Sequence, residues 1–181
     1  MISSLKQFIL KFLSNLLNTR LYWLCVILIS FGFEICGYYF QYVMNLQPCE
    51  MCVYERAGFA AILLIAMFVI IHPKSLKFIG IPAWIYASVM SLQIALEHMD
   101  AETNIFAQCN AVIEAKRFWI PLDQWLPSFF NPTGTCGDIP WSFMGFSMPW
   151  GGRALFTGYL VAIAVSVIIH FVFYIKKKNN V

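Results

Sequence analysis

The sequence predicts an all-α integral membrane protein, a bundle of four transmembrane helices accompanied by short interfacial helices. Of its 181 residues, 60% are hydrophobic and only 12% are charged, which is far outside the range of soluble domains. Four apolar stretches are each about 20 residues long, enough for a helix to cross a ~30 Å hydrocarbon core. Runs such as AAILLIAMFVII are apolar on every face, whereas the strands of a transmembrane β-barrel alternate apolar and polar residues.

The predicted spans belong to one membrane domain and lie at 21–43, 53–71, 78–99 and 153–175. The first span is too long for a signal peptide, contains Glu34 and has no small-residue cleavage site after it, so we expect it to stay in the protein. Before it, residues 1–20 place apolar side chains at helical spacing with Lys6 and Lys11 among the polar positions. This pattern predicts a helix lying in the membrane interface, in contact with lipid.

Basic residues predict the orientation of the bundle. The lysines and arginines outside the spans are concentrated in three segments, 1–20, 72–77 and the tail 176–181, and these segments contain no acid. Because positively charged segments stay on the cytoplasmic side, both termini are predicted to be cytoplasmic. The loops 44–52 and 100–152 are then on the opposite side.

Four of the six cysteines fall in those two loops, where disulfides can form and persist; they are Cys49, Cys52, Cys109 and Cys136. Cys49 and Cys52 form a CxxC motif after Pro48, a residue that favours the first turn of a helix. A helix N-terminus stabilises a thiolate, and the spacing lets both sulfurs meet, so the motif indicates a redox pair. Cys25 and Cys36, within the first span, are expected to be small buried residues without chemistry.

Three polar residues are expected near the membrane depth of Cys52, where they are candidate ligands of a quinone. Arg56 follows Cys52 by one helical turn and is expected to stabilise negative charge on that thiolate and on the quinone. His98, at the end of the third span, could bond a quinone carbonyl or carry a proton, and Glu97 is its neighbour. The alternatives are an arginine that reaches the headgroups or pairs with Glu55, and a histidine that only ends a helix.

The long loop contains a run of aromatic and apolar residues that predicts attachment to the bilayer surface; they are Phe118, Trp119, Ile120, Trp125, Leu126, Phe129 and Phe130. Such attachment would keep Cys136 near the short loop and allow disulfide exchange between the loops. Cys109 lies in a more polar stretch and is better placed to meet a soluble partner.

Other uses of the cysteines stay open at this point. Four external cysteines permit three pairings, and all of these could be structural disulfides. A zinc site of four thiolates is disfavoured because only one half has CxxC, so no metal site is expected. A haem attachment would need His at position 53, where the chain has Val53. No nucleic-acid partner is expected.

The segment QYVMNLQPCEMCVYER resembles the signature of the disulfide bond formation protein B (DsbB) family. The resemblance extends through LEHM, FAQC, WIPLDQWLP, TGTC and SMPWGG, in that order, and covers the chain from about Glu34 to the fourth span. It implies a quinone-dependent oxidase of the bacterial inner membrane, with ubiquinone or menaquinone as electron acceptor. The partner it implies is a periplasmic thioredoxin-fold dithiol protein of the DsbA kind.

The resemblance also implies an order of disulfide exchange. The reduced partner attacks Cys109, and the released Cys136 attacks Cys49. Cys52 is left as a thiolate that donates to the quinone with help from Arg56, after which both disulfides are regenerated and quinol leaves. Glu50 and Met51 depart from the apolar pair usual in this family, and the acid is expected to oppose the thiolate.

Rival functions remain in two classes, non-enzymatic membrane proteins and other enzymes. The non-enzymatic rival is a tetraspan scaffold or transporter subunit with structural disulfides; a polar transport path is disfavoured because the spans contain few charges, with Glu34 and Arg56 as the main candidates. Within enzymes, the alternatives are a related oxidase serving one dedicated substrate protein and a quinone reductase resembling the vitamin K epoxide reductase family. That last family typically has its CxxC in its final span.

Overall fold

The computed structural model describes residues 15–103, 122–134 and 141–179. Four long helices dominate these residues: α1 (Arg20–Tyr42), α2 (Glu50–Val69), α3 (Pro73–Thr103) and α6 (Met148–Asn179). A 3-10 turn, Leu16–Asn18, precedes α1. Between α3 and α6 lie two one-turn helices, α4 (Leu122–Trp125) and α5 (Pro127–Phe130), and a hairpin of two strands, β1 (Ser142–Phe143) and β2 (Phe146–Ser147).

All four long helices are long and apolar enough to cross a membrane. The predicted all-α class with four spanning helices is therefore confirmed, and the chain is a multi-pass membrane protein. Large apolar side chains such as Leu28, Leu64 and Phe78 are exposed on the outside of the bundle, as expected for faces that contact lipid.

The helices extend beyond the apolar stretches. α3 begins at Pro73 and ends at Thr103, so most of the predicted loop 72–77 is helical. Proline is well suited to the first helical position, and the apolar stretch marks the depth of the hydrocarbon core instead of the ends of the helix. α2 begins at Glu50 with Cys49 as its N-cap, so Pro48 lies before the cap and not in the first turn.

Aromatic side chains fill the centre of the bundle. Phe59 of α2 stacks on Phe156 of α6 at 4.4 Å between ring centroids, and Trp23 of α1 meets Trp84 of α3 at 5.6 Å. A buried hydrogen bond of 2.8 Å between Ser30 and Tyr159 joins α1 to α6. Within the hydrocarbon layer such packing and polar contacts hold helices together, because lipid is as apolar as the core.

The described part of the long loop is attached to the end of the bundle that carries the CxxC motif. Phe130 is buried against Val53 and Ala57 of α2, and the Tyr42 hydroxyl donates to the backbone carbonyl of Ser128. Phe130 therefore packs on protein, whereas Trp125, Leu126 and Phe129 are exposed, and their contact with the bilayer stays a prediction. Phe118, Trp119 and Ile120 lie outside the described residues.

The loop then meets the CxxC segment through its backbone. The amides of Thr133 and Gly134 both donate to the carbonyl of Pro48 at 3.0 Å. A Cβ atom at position 134 would lie 2.5 Å from the carbonyl oxygen of Gln47, so only glycine permits this approach. The loop is thus held directly beside Cys49.

Candidate redox site

The two cysteines of the CxxC motif occupy defined capping positions of α2. Cys49 has the extended backbone of an N-cap, and its sulfur accepts a hydrogen bond of 3.3 Å from the amide of Cys52. An N-cap side chain accepts from the second or third helical residue, which is why the spacing of three brings the sulfurs together. They lie 2.9 Å apart as free thiols. A small rotation would close the disulfide, whose bond length is about 2.05 Å.

His98 of α3 lies against both sulfurs. Its Nε2 atom is 3.3 Å from the Cys49 sulfur and 4.0 Å from the Cys52 sulfur, and its Nδ1 atom is 2.9 Å from Oε1 of Glu55. His98 and Glu55 are both buried. The imidazole therefore connects the dithiol to a carboxylate, and a proton can be held on either side of it.

The neighbouring Cys52 and His98 favour ionisation of the Cys49 thiol. The hydrogen bond from the Cys52 thiol lowers the pKa of Cys49 most, burial opposes ionisation, and the hydrogen bond and charge of His98 lower the pKa further, to about 4. In the reduced pair the thiolate is therefore Cys49. Cys52 can become the thiolate once Cys49 is engaged in a disulfide.

We expect the Cys49 thiolate of the reduced protein to persist until the pH falls to about 4. An unperturbed thiol is half ionised near pH 8.5, so alkylation of Cys49 should be nearly independent of pH from about 6 to 9. The measurement is the ultraviolet thiolate absorption and the alkylation rate in a variant with the other four cysteines outside CxxC replaced by Ala. Cys49→Ala must remove the acidic transition, and a midpoint near pH 8.5 would refute the assignment.

A cavity of about 420 Å³ opens on the other side of Cys52. Its walls are mainly apolar and come from α1, α2, the hairpin and the start of α6; the side chains include Phe33, Cys36, Phe40, Gln41, Cys52, Arg56, Phe59, Trp141, Met148 and Leu155. Arg56 supplies the positive charge at this wall. The cavity has the size and composition of a site for an apolar ring compound with one polar anchor.

Arg56 is buried, and only some of its hydrogen-bond donors have partners. Its Nη1 atom donates to Oε1 of Gln41 at 2.5 Å, and its Nε atom is 3.8 Å from Oε2 of Glu34. Nε and Nη2 have no hydrogen-bond partner among the described residues. The alternative pairing with Glu55 is not present, because Glu55 is engaged by His98. Gly37 lies against the arginine, since a Cβ there would be 3.2 Å from Cδ and Nε.

A second cavity of about 270 Å³ reaches the dithiol from the loop side. Cys49, Cys52 and His98 line it together with Glu102 and Gly134. Cys52 thus borders both cavities, whereas Cys49 and His98 border only the second. The structure therefore brings His98 to the dithiol and not to the wall that Arg56 forms.

The remaining predicted residues lie elsewhere. Glu97 is exposed and does not line either cavity, so its contact with a quinone stays a prediction. Cys109 and Cys136 lie outside the described residues. Cys25 and Cys36 are exposed, so the expectation that both are buried was wrong: their positions on α1 face outward, and Cys36 borders the larger cavity.

Glu55 and Gln41 were not predicted as site residues. A carboxylate inside an apolar span is a signal of function, and Glu55 could have been selected on that ground. Gln41 carries no such signal, because glutamine near the end of a span is ordinary. Its contact with Arg56 depends on how α1 packs against α2.

Gly152 of α6 provides a test of Glu55. A Cβ there would lie 2.4 Å from Oε2 of Glu55, whereas at Gly151 nothing lies within 4 Å. Both substitutions to Ala gain about 1 kcal/mol of helix propensity, so Gly151→Ala is a matched control. We expect Gly152→Ala to displace Glu55, weaken the contact of His98 with Cys49, and raise the midpoint of the Cys49 thiolate titration by about one pH unit. Equal midpoints in both variants would contradict this role of Glu55.

Comparisons with known proteins find relatives along most of the chain. Residues 19–166 match the family described as "Disulfide bond formation protein DsbB". The chain is similar to a protein named Disulfide bond formation protein B from Photobacterium profundum, with 35% identity over 176 residues that cover 95% of this chain and 98% of the relative. Proteins of the same name are 39% identical in Vibrio parahaemolyticus, covering 88% and 90% of the two chains, and 38% identical in Yersinia pestis, covering 88% and 92%.

Proposed function

The chain belongs to the disulfide bond formation protein B family, and from this premise we propose that it transfers electrons from a soluble protein dithiol to a membrane quinone. Membership makes it a multi-pass membrane protein of disulfide bond formation, with disulfide oxidoreductase activity. The proposal adds the electron acceptor, ubiquinone or menaquinone, and the donor, a thioredoxin-fold protein of the DsbA kind.

The position of Cys52 between two cavities carries the proposal. One cavity is mainly apolar and is bordered by the buried Arg56, which suits a lipid-soluble compound with a polar carbonyl. The other contains Cys49 and His98 and lies beneath the loop that meets Pro48. An electron pair that enters through Cys49 can therefore leave through Cys52 without rearrangement of the helices.

The larger cavity suits a quinone. Its volume of about 420 Å³ falls in the usual range for small-molecule sites. The unpartnered Nε and Nη2 atoms of Arg56 are hydrogen-bond donors for a carbonyl oxygen, and their positive charge favours the reduced oxygen more than the neutral one. A bound quinone would supply an acceptor for two electrons and two protons and would leave as quinol.

The loop supports exchange between Cys136 and Cys49. The amide of Gly134 is hydrogen-bonded to the carbonyl of Pro48, the residue before Cys49, and Cys136 follows Gly134 by two residues in the sequence. In the proposed order the partner attacks Cys109, Cys136 is released, and its attack on Cys49 releases Cys52 as a thiolate. His98 and Glu55 would then hold the proton that leaves with the dithiol.

The direct test uses the purified protein, a reduced DsbA-like protein and a short-chain ubiquinone or menaquinone analogue. We expect loss of quinone absorption in proportion to the partner oxidised, one quinone for each disulfide formed. The chain with both Cys49 and Cys52 replaced by Ala is the control for uncatalysed oxidation. Partner oxidation at an equal rate without quinone, or no oxidation at all, would overturn the proposal.

The proposed location is the inner membrane of a bacterium, with both termini cytoplasmic and the CxxC end of the bundle in the periplasm. The distribution of basic residues supports this orientation. A membrane-impermeant thiol reagent applied to intact spheroplasts should label reduced Cys109, and it should spare a cysteine introduced at Lys177. The reverse pattern would invert the proposed orientation.

A further inference from the structure

Three metal-binding atoms converge at the dithiol from two helices. The sulfurs of Cys49 and Cys52 and the Nε2 atom of His98 all lie within 4.8 Å of one another. The sequence expectation of no metal site considered only cysteine spacing, which cannot reveal a histidine 46 residues away from Cys52. The packing of α3 on α2 supplies that third donor.

The donor set matches a soft divalent cation. Zinc and cadmium prefer thiolate and imidazole ligands, and a site of two Cys and one His leaves a fourth position open. Zinc bonds of about 2.3 Å to sulfur in tetrahedral geometry place the two sulfurs about 3.8 Å apart. They are 2.9 Å apart here, so a side-chain rotation must separate them by about 0.9 Å, while Nε2 is already 3.3 and 4.0 Å from them.

The surroundings of His98 complete a metal site. Nδ1 lies 2.9 Å from Oε1 of Glu55 and can donate to it, so when a metal ion displaces the proton on Nε2, the lone pair of Nε2 faces the sulfurs. A carboxylate behind a ligating histidine fixes its tautomer and raises its basicity, and is the usual partner in zinc sites. The metal would exchange through the cavity of about 270 Å³, which Glu102 also lines, and water entering there would take the fourth position.

We propose that the reduced Cys49, Cys52 and His98 bind one Zn²⁺ or Cd²⁺ ion, and that the bound ion holds the dithiol reduced and stops electron transfer. Only the reduced pair can supply two thiolates, because the ion displaces the thiol proton of Cys52 and binds the resulting thiolate beside that of Cys49, whereas the sulfurs of a disulfide carry no negative charge. The metal and the oxidised state therefore exclude each other. The inhibition depends on the proposed oxidase function, whereas the binding does not.

The test titrates Cd²⁺ into the purified full-length chain whose Cys25, Cys36, Cys109 and Cys136 are replaced by Ala, which leaves two thiols. We expect the ultraviolet absorption of cadmium–thiolate bonds to saturate at one ion per chain in the reduced protein and to be absent in the disulfide form. His98→Gln should weaken binding by at least tenfold, and Glu55→Gln by about tenfold. His72→Gln, an exposed histidine before the opposite end of α3, is the matched control and should bind as tightly as the parent.

Equal affinity in His98→Gln and the parent would overturn the proposal, because the CxxC pair alone would then explain the binding. Absence of saturable binding to the reduced chain would also overturn it. A second arm adds Zn²⁺ to the reduced wild-type chain and follows quinone reduction, which should stop and should recover on addition of a chelator. Binding without turnover in any sample would refute the oxidase function alone, whereas turnover without binding would refute the metal site alone.

Discussion

Replacement of Cys52 by Ala is expected to lower quinone reduction by about a thousandfold or more, because Cys52 is the cysteine of the dithiol that borders the apolar cavity. Cys49 borders only the cavity on the loop side, so it cannot replace Cys52 as electron donor. The measurement is the rate of loss of quinone absorption with a reduced DsbA-like partner. Cys25→Ala, an exposed position on α1 away from both cavities, is the matched control and should retain full turnover.

The same variant also tests the order of exchange. Without Cys52, the Cys49 thiolate can attack Cys136 of the Cys109–Cys136 disulfide and release Cys109 as a thiol. The CxxC pair can no longer resolve the resulting disulfide between Cys49 and Cys136, so we expect it to accumulate and to be visible on non-reducing electrophoresis after proteolysis. If Cys136 is replaced as well, the Cys109 thiol can attack the disulfide of the oxidised partner and release one partner thiol, and the mixed disulfide trapped in this way should involve Cys109. Retained quinone turnover in Cys52→Ala would remove the basis for the proposed quinone step.

Loss of the Arg56 charge should have the second largest effect. Arg56→Met keeps the apolar stem and removes donors that would stabilise charge on the quinone oxygen, and removal of one such donor typically costs about 10²- to 10³-fold in rate. The long-wavelength absorption expected for a thiolate in contact with a quinone should also disappear. Arg56→Lys should retain part of both, because it keeps the charge but loses the planar set of donors.

A structural effect of Arg56→Met must be separated from a functional one, since it leaves the carboxylate of Glu34 without its 3.8 Å partner. The double variant Arg56→Met with Glu34→Gln removes both charges and should recover thermal stability without recovering quinone turnover. Arg153→Met is the matched control: Arg153 lies over the ring of Trp150 at 5.1 Å and does not line the larger cavity. Recovery of turnover in the double variant would assign Arg56 a structural role only.

Much of the fold was predictable because the bilayer imposes a length and a polarity on each span. The four apolar stretches identified α1, α2, α3 and α6, and their number needed no tertiary information. The residues at which the helices begin and end were less predictable. α3 continues to Thr103 and α2 begins at Glu50 because helices extend past the hydrocarbon layer, where caps and loop contacts determine their ends.

The chemistry of the site was predictable where it depends on spacing along one helix. The CxxC motif indicated a dithiol at a helix N-terminus, and Arg56 one turn after Cys52 indicated a cation near it; both lie on α2 as expected. Spacing along the helix could not predict which cysteine of the reduced pair is the thiolate. The thiolate belongs to Cys49, because Cys49 is the N-cap whose sulfur accepts from the Cys52 amide and lies 3.3 Å from Nε2 of His98, and the Cys52 side chain and His98 lower its pKa.

By itself the sequence determined the number of spans, their apolar character and the place of the dithiol at the start of the second one. Only the tertiary structure decided that His98 of α3 reaches the sulfurs, that Gln41 and Glu34 of α1 hold Arg56, and that Cys52 borders two cavities. The physical reason is that hydropathy measures transfer from water to lipid and is nearly the same for every face of these helices. Which faces meet depends on close packing and a few polar contacts between residues far apart in the chain.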